Sequence, residues 1–501
     1  MRLTDATRRL AQLARARPGP AGAIALFAVL AVVYSTSIDI RASRGASITG
    51  DEPFYLITTQ SLLQDGNLDL REQYATRSYE SFFDHRDGLW TQSVPLEDGR
   101  VLSPHNVGLS VLLLPGFALD GLVGAQVQLV LLAALVWALA YLLALRLTEA
   151  RPWLVWLATA AVALSATAFI YSSEVYPEAP AALALVGALL VATDRERLSA
   201  PRVVVLVLLL SALPWLGAKY APLAALVALY VLWRAEPRGR ALLVVVGAVS
   251  ALAYGAFHLA TYESLTPYNV NLVYAGGSTA TIVGEHVELG DRVYRLWGLL
   301  IDRRFGVARW APLLLAVVPG VLLLARGDAR QRLVLGLVAV QVLIATFVVI
   351  TMMGWWFPGR TLVTVFPLLP IPLVLVASRD GRAWRAALVA LGGYSLAVTA
   401  ALAEAGRSRE VVIAVDPFEL QAVFFRGVAG LFPQYTSWTT ETWLLTVAWL
   451  GLGGVALAAW AARSWRPRAG RRGPPAQSDQ STRSEQSGAP SSSPSSASAS
   501  R

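Results

Sequence analysis

Thr49-Gly50-Asp51-Glu52-Pro53-Phe54-Tyr55 places two adjacent carboxylates at the start of a polar stretch, 39–105, set between two hydrophobic segments. A carboxylate beside a bilayer is costly unless it faces water, a cation or a substrate. Asp51 and Glu52 are therefore the first candidates for chemistry, since a carboxylate can accept a proton from a hydroxyl and hold it for attack. The same residues also suit a helix N-terminus, with Thr49 as N-cap and Asp51, Glu52 and Pro53 in the first turn. The two roles are compatible. A second acidic group is Glu174-Val-Tyr-Pro-Glu178. Pro177 fits a first helical turn with Glu178 just inside it, and a short loop would hold Glu178 at the membrane surface, facing the first pair. Glu174 is the weaker of the two.

Cations supply the opposite charge. Lys219 is the only lysine, in the turn Pro214-Trp-Leu-Gly-Ala-Lys-Tyr-Ala-Pro222, and Arg303, Arg304 and Arg360 flank apolar segments on the same side. Outer cations run against the usual charge bias of membrane proteins, so an anion should compensate them. Phosphate at the headgroup level is the natural partner; contact with lipid headgroups is the alternative. Trp355 and Trp356 read as interfacial aromatics. His85, His105, His258 and His286 all fall on or near the outer side. They could join Glu52 or Glu178 at a metal, but no ligand spacing supports one, and His105 could instead fix the loop.

The elements that must position these groups are apolar. Of 501 residues, 55% are hydrophobic and only 15% charged, against roughly 25% charged in a soluble domain. A span needs about 20 mostly apolar residues. Twelve candidates stand at about 21–38, 125–146, 152–171, 176–193, 202–217, 220–234, 240–260, 308–325, 332–352, 361–378, 385–403 and 441–462. The expected fold is thus an all-α polytopic membrane protein with about twelve transmembrane helices and a large first extracytoplasmic loop. Residues 107–119 are too short to span, and Pro115-Gly116 should break a helix there, so they suit an interfacial or re-entrant segment.

Net charge is +9. Residues 1–20 contribute +4 (five Arg, one Asp) and 463–501 contribute +5 (seven Arg, two acids), so the body is neutral. Short loops carry Arg146/Arg151, Arg195/Arg197/Arg202, Arg234/Arg238/Arg240, Arg326/Arg330/Arg332 and Arg379/Arg382/Arg385 at regular alternation. Both tails are therefore expected in the cytoplasm, flanking a membrane domain over 21–462 in the cell membrane. The basic tails read as topology signals and not as nucleic-acid binding. The Ser/Pro/Ala-rich 463–501 tail is expected to be disordered. Outer loops fall at 39–105, 261–307 and 404–440. Abundant arginine and alanine suggest a bacterial origin.

With no cysteine, disulfides and thiolate chemistry are excluded. No phosphate-cradling Gly-Lys-Ser/Thr loop, dinucleotide fingerprint or zincin motif occurs. The first apolar run lacks a cleavage signature and reads as a retained span.

The chain resembles the GT-C superfamily of membrane glycosyltransferases, nearest its protein O-mannosyltransferase-like and aminoarabinose-transferase-like branches. The stretches that carry the resemblance are Gly50-Asp-Glu-Pro-Phe-Tyr-Leu56 with Gln64-Asp-Gly-Asn-Leu-Asp-Leu70, His105-Asn-Val-Gly-Leu109 leading to Leu114-Pro-Gly-Phe117, Tyr176-Pro-Glu178, Leu300-Ile-Asp-Arg-Arg-Phe-Gly306 and Trp356-Phe-Pro-Gly-Arg360. The resemblance implies inverting transfer of a sugar from a polyprenyl-phosphate donor at the extracytoplasmic face. It implies Asp51 as catalytic base with Glu52 assisting, and Glu178 as the second acidic motif. Lys219, Arg303, Arg304 and Arg360 are the candidates for the donor phosphate by charge and placement. A lipid, a glycan or a protein could be the acceptor. Some branches bind a divalent metal and others do not, so metal dependence stays open. The competing function is a non-enzymatic carrier or flippase of lipid-linked saccharides, which would place its ionisable groups mid-bilayer.

Overall fold

A computed structural model describes residues 18–194, 198–274, 289–379 and 381–464. The basic N-terminus, the 465–501 part of the tail expected to be disordered, Arg195, Arg197 and His286 lie outside the described residues. The described chain is helical, and its one β-type pairing is an isolated antiparallel bridge between Ser93 and Asn271.

The main helices are α1 (Pro18–Ser35), α2 (Glu52–Gln64), α3 (Gly108–Thr148), α4 (Pro152–Ala163), α5 (Glu178–Ala192), α6 (Ala200–Leu216), α7 (Ala221–Arg234), α8 (Pro237–Tyr262), α9 (Val317–Ala325), α10 (Ala329–Phe347), α11 (Pro370–Arg379), α12 (Arg382–Arg407) and α13 (Thr440–Ser464). Of the described helices, five are long and apolar enough to cross a membrane, or six if the bent pair Arg360–Leu368 and α11 is one span. Twelve full-length spans are therefore not what the helix lengths give. The apolar runs are interrupted: the stretch 152–171 stops at Leu164, where Ser165 is extended before a short turn of helix, Ala166–Ile170. Twelve residues of helix cover only about 18 Å of a hydrocarbon core roughly 30 Å thick.

The lateral faces are apolar. In α8 only Leu243, His258 and Tyr262 are buried, while Val244, Val249 and Leu252 are exposed, as are Leu444, Val447, Leu452 and Val455 of α13. Such continuous apolar surface belongs against lipid, not water. At the centre lies α5, buried through nearly its whole length and packed on α3, α6, α7 and the 3-10 segment Arg360–Leu368.

The segment 107–119 does fold back, but the chain reverses at Asp120-Gly121 and not at Pro115-Gly116. Asp120 (φ −157°, ψ 43°) and Gly121 (φ 50°, ψ −130°) are non-helical, whereas Pro115 sits inside the first arm. Gly121 supplies the positive φ that the reversal demands. The two arms then touch closely: Gly116 N–H donates to Gln128 Oε1 (2.9 Å), Gln128 Nε2 donates to Leu112 O (2.7 Å), and a Cβ on Gly124 would collide with the Gly116 carbonyl. We expect Gly121→Val to cost roughly 1–3 kcal/mol of strain, measured as lowered thermal stability of the detergent-solubilised protein. Unchanged stability would mean that the reversal tolerates a side chain.

Candidate active site

Of the eight charged residues singled out in the sequence, Asp51, Glu178, Lys219 and Arg360 meet at one end of the bundle. The antiparallel packing of α5 and α6 brings the start of α5, with Glu178, beside the α6–α7 turn, with Lys219. Glu178 Oε1 accepts from Lys219 Nζ (2.8 Å) and from Arg360 Nε (3.1 Å). A terminal nitrogen of Arg360 reaches Asp51 Oδ2 at 2.8 Å. Arg360 therefore bridges the two acidic motifs. Glu178 and Arg360 are 1% and 8% exposed at their side chains, Lys219 16% and Asp51 23%. Charges this deeply placed persist only when paired, and here two carboxylates balance two cations.

Each member is set by backbone that has little freedom. Gly359, at φ +87°, lies against Val307 and Thr167 and leads into the Arg360 turn. That turn is clamped by Thr167 Oγ1 on Pro358 O (3.1 Å) and Tyr171 OH on Phe357 O (2.5 Å). The Arg360 guanidinium lies 3.8 Å from the Tyr176 ring centre and 5.2 Å from that of Trp356, so Trp356 serves the arginine as a cation–π partner. Lys219 is positioned through Asn106, whose Oδ1 accepts from Ala218 N–H (3.2 Å) and whose Nδ2 donates to Tyr254 OH (3.1 Å). Gly108 lets the start of α3 approach the Trp215 backbone too closely for any Cβ. His105-Asn-Val-Gly108 is therefore a spacing device between α3 and the Lys219 turn.

Asp51 and Glu52 face different ways. The helix begins at Glu52, so Asp51 and not Thr49 is the N-cap residue, and its side chain makes no cap bond, being turned to Arg360 instead. One residue further on a helix is rotated by about 100°, which turns Glu52 inward. It is 1% exposed and accepts N–H groups from Thr49 (2.9 Å) and Val175 (2.9 Å). Glu52 thus fastens the first acidic loop to the second.

The same loop buries Glu174, both of whose carboxylate oxygens have no hydrogen-bond partner among the described residues. Burial, with the Glu52 charge adding, pushes Glu174 well above the ordinary carboxyl range. Burial likewise pushes Glu52 up to about 7, against the pull of its two N–H donors. Glu52 has those donors and Glu174 has none, so Glu174 is the one shifted further toward its protonated form. Burial would raise Asp51 as well, but the Arg360 charge beside it, with smaller help from His105 and Lys219, brings it down to about 2. Asp51 is ionised at neutral pH. Burial lowers His105; its Nε2 lies 2.8 Å from Gln92 Oε1 and 3.9 Å from Asp51 Oδ1.

Arg303 and Arg304 belong to a neighbouring turn. Arg303 donates to Phe432 O (3.0 Å) and pairs with Glu441 (2.5 Å), and Arg304 lies over the Phe418 ring at 4.5 Å. Buried Asp302 builds this turn by accepting N–H groups from Arg304, Phe305 and Tyr435. His258 is buried in an aromatic cluster with Trp215, Tyr254 and Tyr262, and His85 stacks on Phe83. Among the described residues no group of three or more histidines and carboxylates is placed to hold a metal ion. Sequence reasoning gave no role to Gln92, Asn106 or the Tyr176 ring. Their only signal was proximity to motifs already marked.

Two measurements probe this arrangement. Arg360→Ala leaves Glu178 buried with one cation fewer and should cost roughly 3–5 kcal/mol in thermal or denaturant unfolding; a cost near zero would show that the pair is solvated. For Glu174 the sign is fixed by its raised pKa. An acid that binds its proton more tightly when folded carries no penalty below the ordinary value near 4.5 and an increasing one as pH rises through the folded value. Stability should therefore fall as pH rises above the ordinary value near 4.5, and Glu174→Gln should flatten that slope. A wild-type slope retained in Glu174→Gln would refute the upward shift of Glu174.

No family model matches the chain, and no curated protein matches it. Among solved structures it is similar to two crystal structures of ArnT from Cupriavidus metallidurans. One, bound to undecaprenyl phosphate, is 16% identical with a TM-score of 0.47, over 88% of this chain and 72% of that one. The other, in the apo state, is 18% identical with a TM-score of 0.49, over 88% and 78%.

Proposed function

We propose that this chain is a glycosyltransferase of the GT-C kind, moving a sugar from a polyprenyl-phosphate donor to an acceptor hydroxyl at the extracytoplasmic membrane face with inversion. The observation that carries the proposal is the single network Asp51–Arg360–Glu178–Lys219 at one end of the helix bundle. It puts two cations suited to a phosphate within one side chain's reach of the Asp51 carboxylate.

Lys219 and Arg360 hold the donor phosphate, with the lipid tail lying among the spans. The acceptor oxygen forms a bond to the anomeric carbon as the bond from that carbon to the phosphate oxygen breaks. The electron pair leaves with the phosphate, where the two cations stabilise it, commonly the largest catalytic term. The acceptor proton goes to Asp51. Asp51 is a weak base while Arg360 holds it, which suits a transition state in which the sugar carbon is already electron-poor and the hydroxyl proton leaves late. Glu178 keeps Lys219 and Arg360 oriented, and Glu52 keeps the Asp51 loop docked on Val175. No ATP or ion gradient enters, because the donor bond supplies the driving force. Arg303 and Arg304 serve the adjoining turn in this scheme, and metal dependence plays no part in it. The cell membrane with both termini in the cytoplasm is the topology proposed, as the arginine alternation suggests.

A carrier of lipid-linked saccharides is the second reading, favoured by Arg360 standing at the head of a helix pair bent by 51°. The two are separated by chemistry. With a radiolabelled polyprenyl-phosphate sugar in membranes, Asp51→Asn should lower transfer by roughly 10²- to 10⁴-fold without loss of folded protein. Lys219→Ala should raise the donor KM more than the acceptor KM. Near-normal transfer in Asp51→Asn defeats the catalytic assignment, and label that crosses the membrane untransferred supports the carrier.

A further inference from the structure

Two large apolar side chains of the polar cover 39–105 are exposed, Leu63 on α2 and Trp90 in an irregular stretch. Trp90 is 52% exposed, in the stretch Arg86-Asp-Gly-Leu-Trp-Thr-Gln92, where its neighbour Leu89 is buried. It is nevertheless fixed: its ring packs edge-on against Phe54 (centroids 5.6 Å, 69°), and its carbonyl accepts from Tyr74 OH (3.2 Å). Phe54 also contacts the His105 ring (6.1 Å), whose Nε2 reaches Gln92 Oε1 and stands 3.9 Å from Asp51. Because the Gln92 oxygen can only accept, Nε2 carries the proton in that bond. The Gln92 amide N–H groups have no protein partner among the described residues. An exposed indole, an open amide donor and an ionised carboxylate thus follow one another along a single rim.

We propose that this rim is the acceptor subsite and that the acceptor is a neutral saccharide, its C–H face on Trp90, a hydroxyl on Gln92 and the reacting hydroxyl toward Asp51. The inference rests on the glycosyl-transfer reading above and names its acceptor class. A sugar ring has an apolar face and a hydroxyl edge, which match an amphipathic indole beside amide and carboxylate groups. Charge disfavours an anionic acceptor, because the cover 39–105 holds eleven acids against six arginines, a net of −5. An extended peptide is disfavoured as well. The backbone edge beside Gln92 that faces Asn271 is already paired, Val94 N–H to Val270 O (2.8 Å) and Leu272 N–H to Gln92 O (3.0 Å), so that edge does not accept an added strand.

The test uses the purified full chain in detergent, a radiolabelled polyprenyl-phosphate sugar, and octyl glycosides of neutral hexoses and pentoses as soluble acceptors. The expected result is transfer to at least one glycoside. Trp90→Ala should raise that acceptor's KM by about tenfold and Gln92→Ala should raise it too, with the donor KM changed by less than about twofold. Trp90→Phe, which keeps a ring on Phe54, should fall in between and guards against a folding artefact. Trp233→Ala, at the other end of the bundle, should leave the acceptor KM alone. A wild-type acceptor KM in both Trp90→Ala and Gln92→Ala overturns the inference, as does transfer to a serine or threonine peptide or a lipid hydroxyl but to no glycoside. Both outcomes leave glycosyl transfer standing. A donor that is neither transferred nor hydrolysed defeats the glycosyl-transfer reading itself.

Discussion

Arg360 is the constraint on which the rest of the site depends. A guanidinium removed from water needs carboxylate oxygens in the plane of its nitrogens, and the chain supplies them from two places far apart in sequence, Asp51 and Glu178. Satisfying that one group fixes the start of α2 against the start of α5, and Lys219 is then required to balance the second carboxylate. The rings of Tyr176 and Trp356 flank the guanidinium, so the arginine has very few other positions available. In the proposed mechanism the donor-phosphate site and a structural clamp are the same set of atoms, so a change made there for donor recognition would also change stability.

Much of the site was legible because charge is scarce in an apolar chain. Asp51, Glu178, Lys219 and Arg360 stood out against a membrane composition, and the structure brings them together. What composition could not resolve was direction. Asp51 and Glu52 are the same chemistry in adjacent positions, yet one meets the arginine and the other closes a loop on Val175, a difference set by the pitch of α2. Arg303 looked equivalent to Arg360 by type and side; its partner Glu441 lies 138 residues away, and only long-range packing could reveal it. Glu174 was undervalued for a related reason, since nothing local marks a carboxylate that will find no donor.

The fold was legible in class but not in detail. All-helical architecture follows from long apolar runs, and the reversal after residue 107 follows from a run too short to span. The break itself falls at Asp120-Gly121: Pro115 is carried inside the first arm, whereas the reversal, at φ 50° and ψ −130°, suits a residue without a Cβ. Several other runs that counted as single spans are broken helices, as at Leu164-Ser165, because hydropathy averages over exactly the small irregularities that end hydrogen-bonded turns.

The contact between Gly116 and Gly124 has a mechanical meaning. Two backbones meeting without side chains between them leave no compressible material, so that corner of the molecule behaves as a hard floor. The cover that carries Trp90 and Gln92 is held instead by side-chain contacts to Phe54, Tyr74 and His105. Evolution could reshape that cover to admit different guests while the spacing of the charges underneath stayed the same.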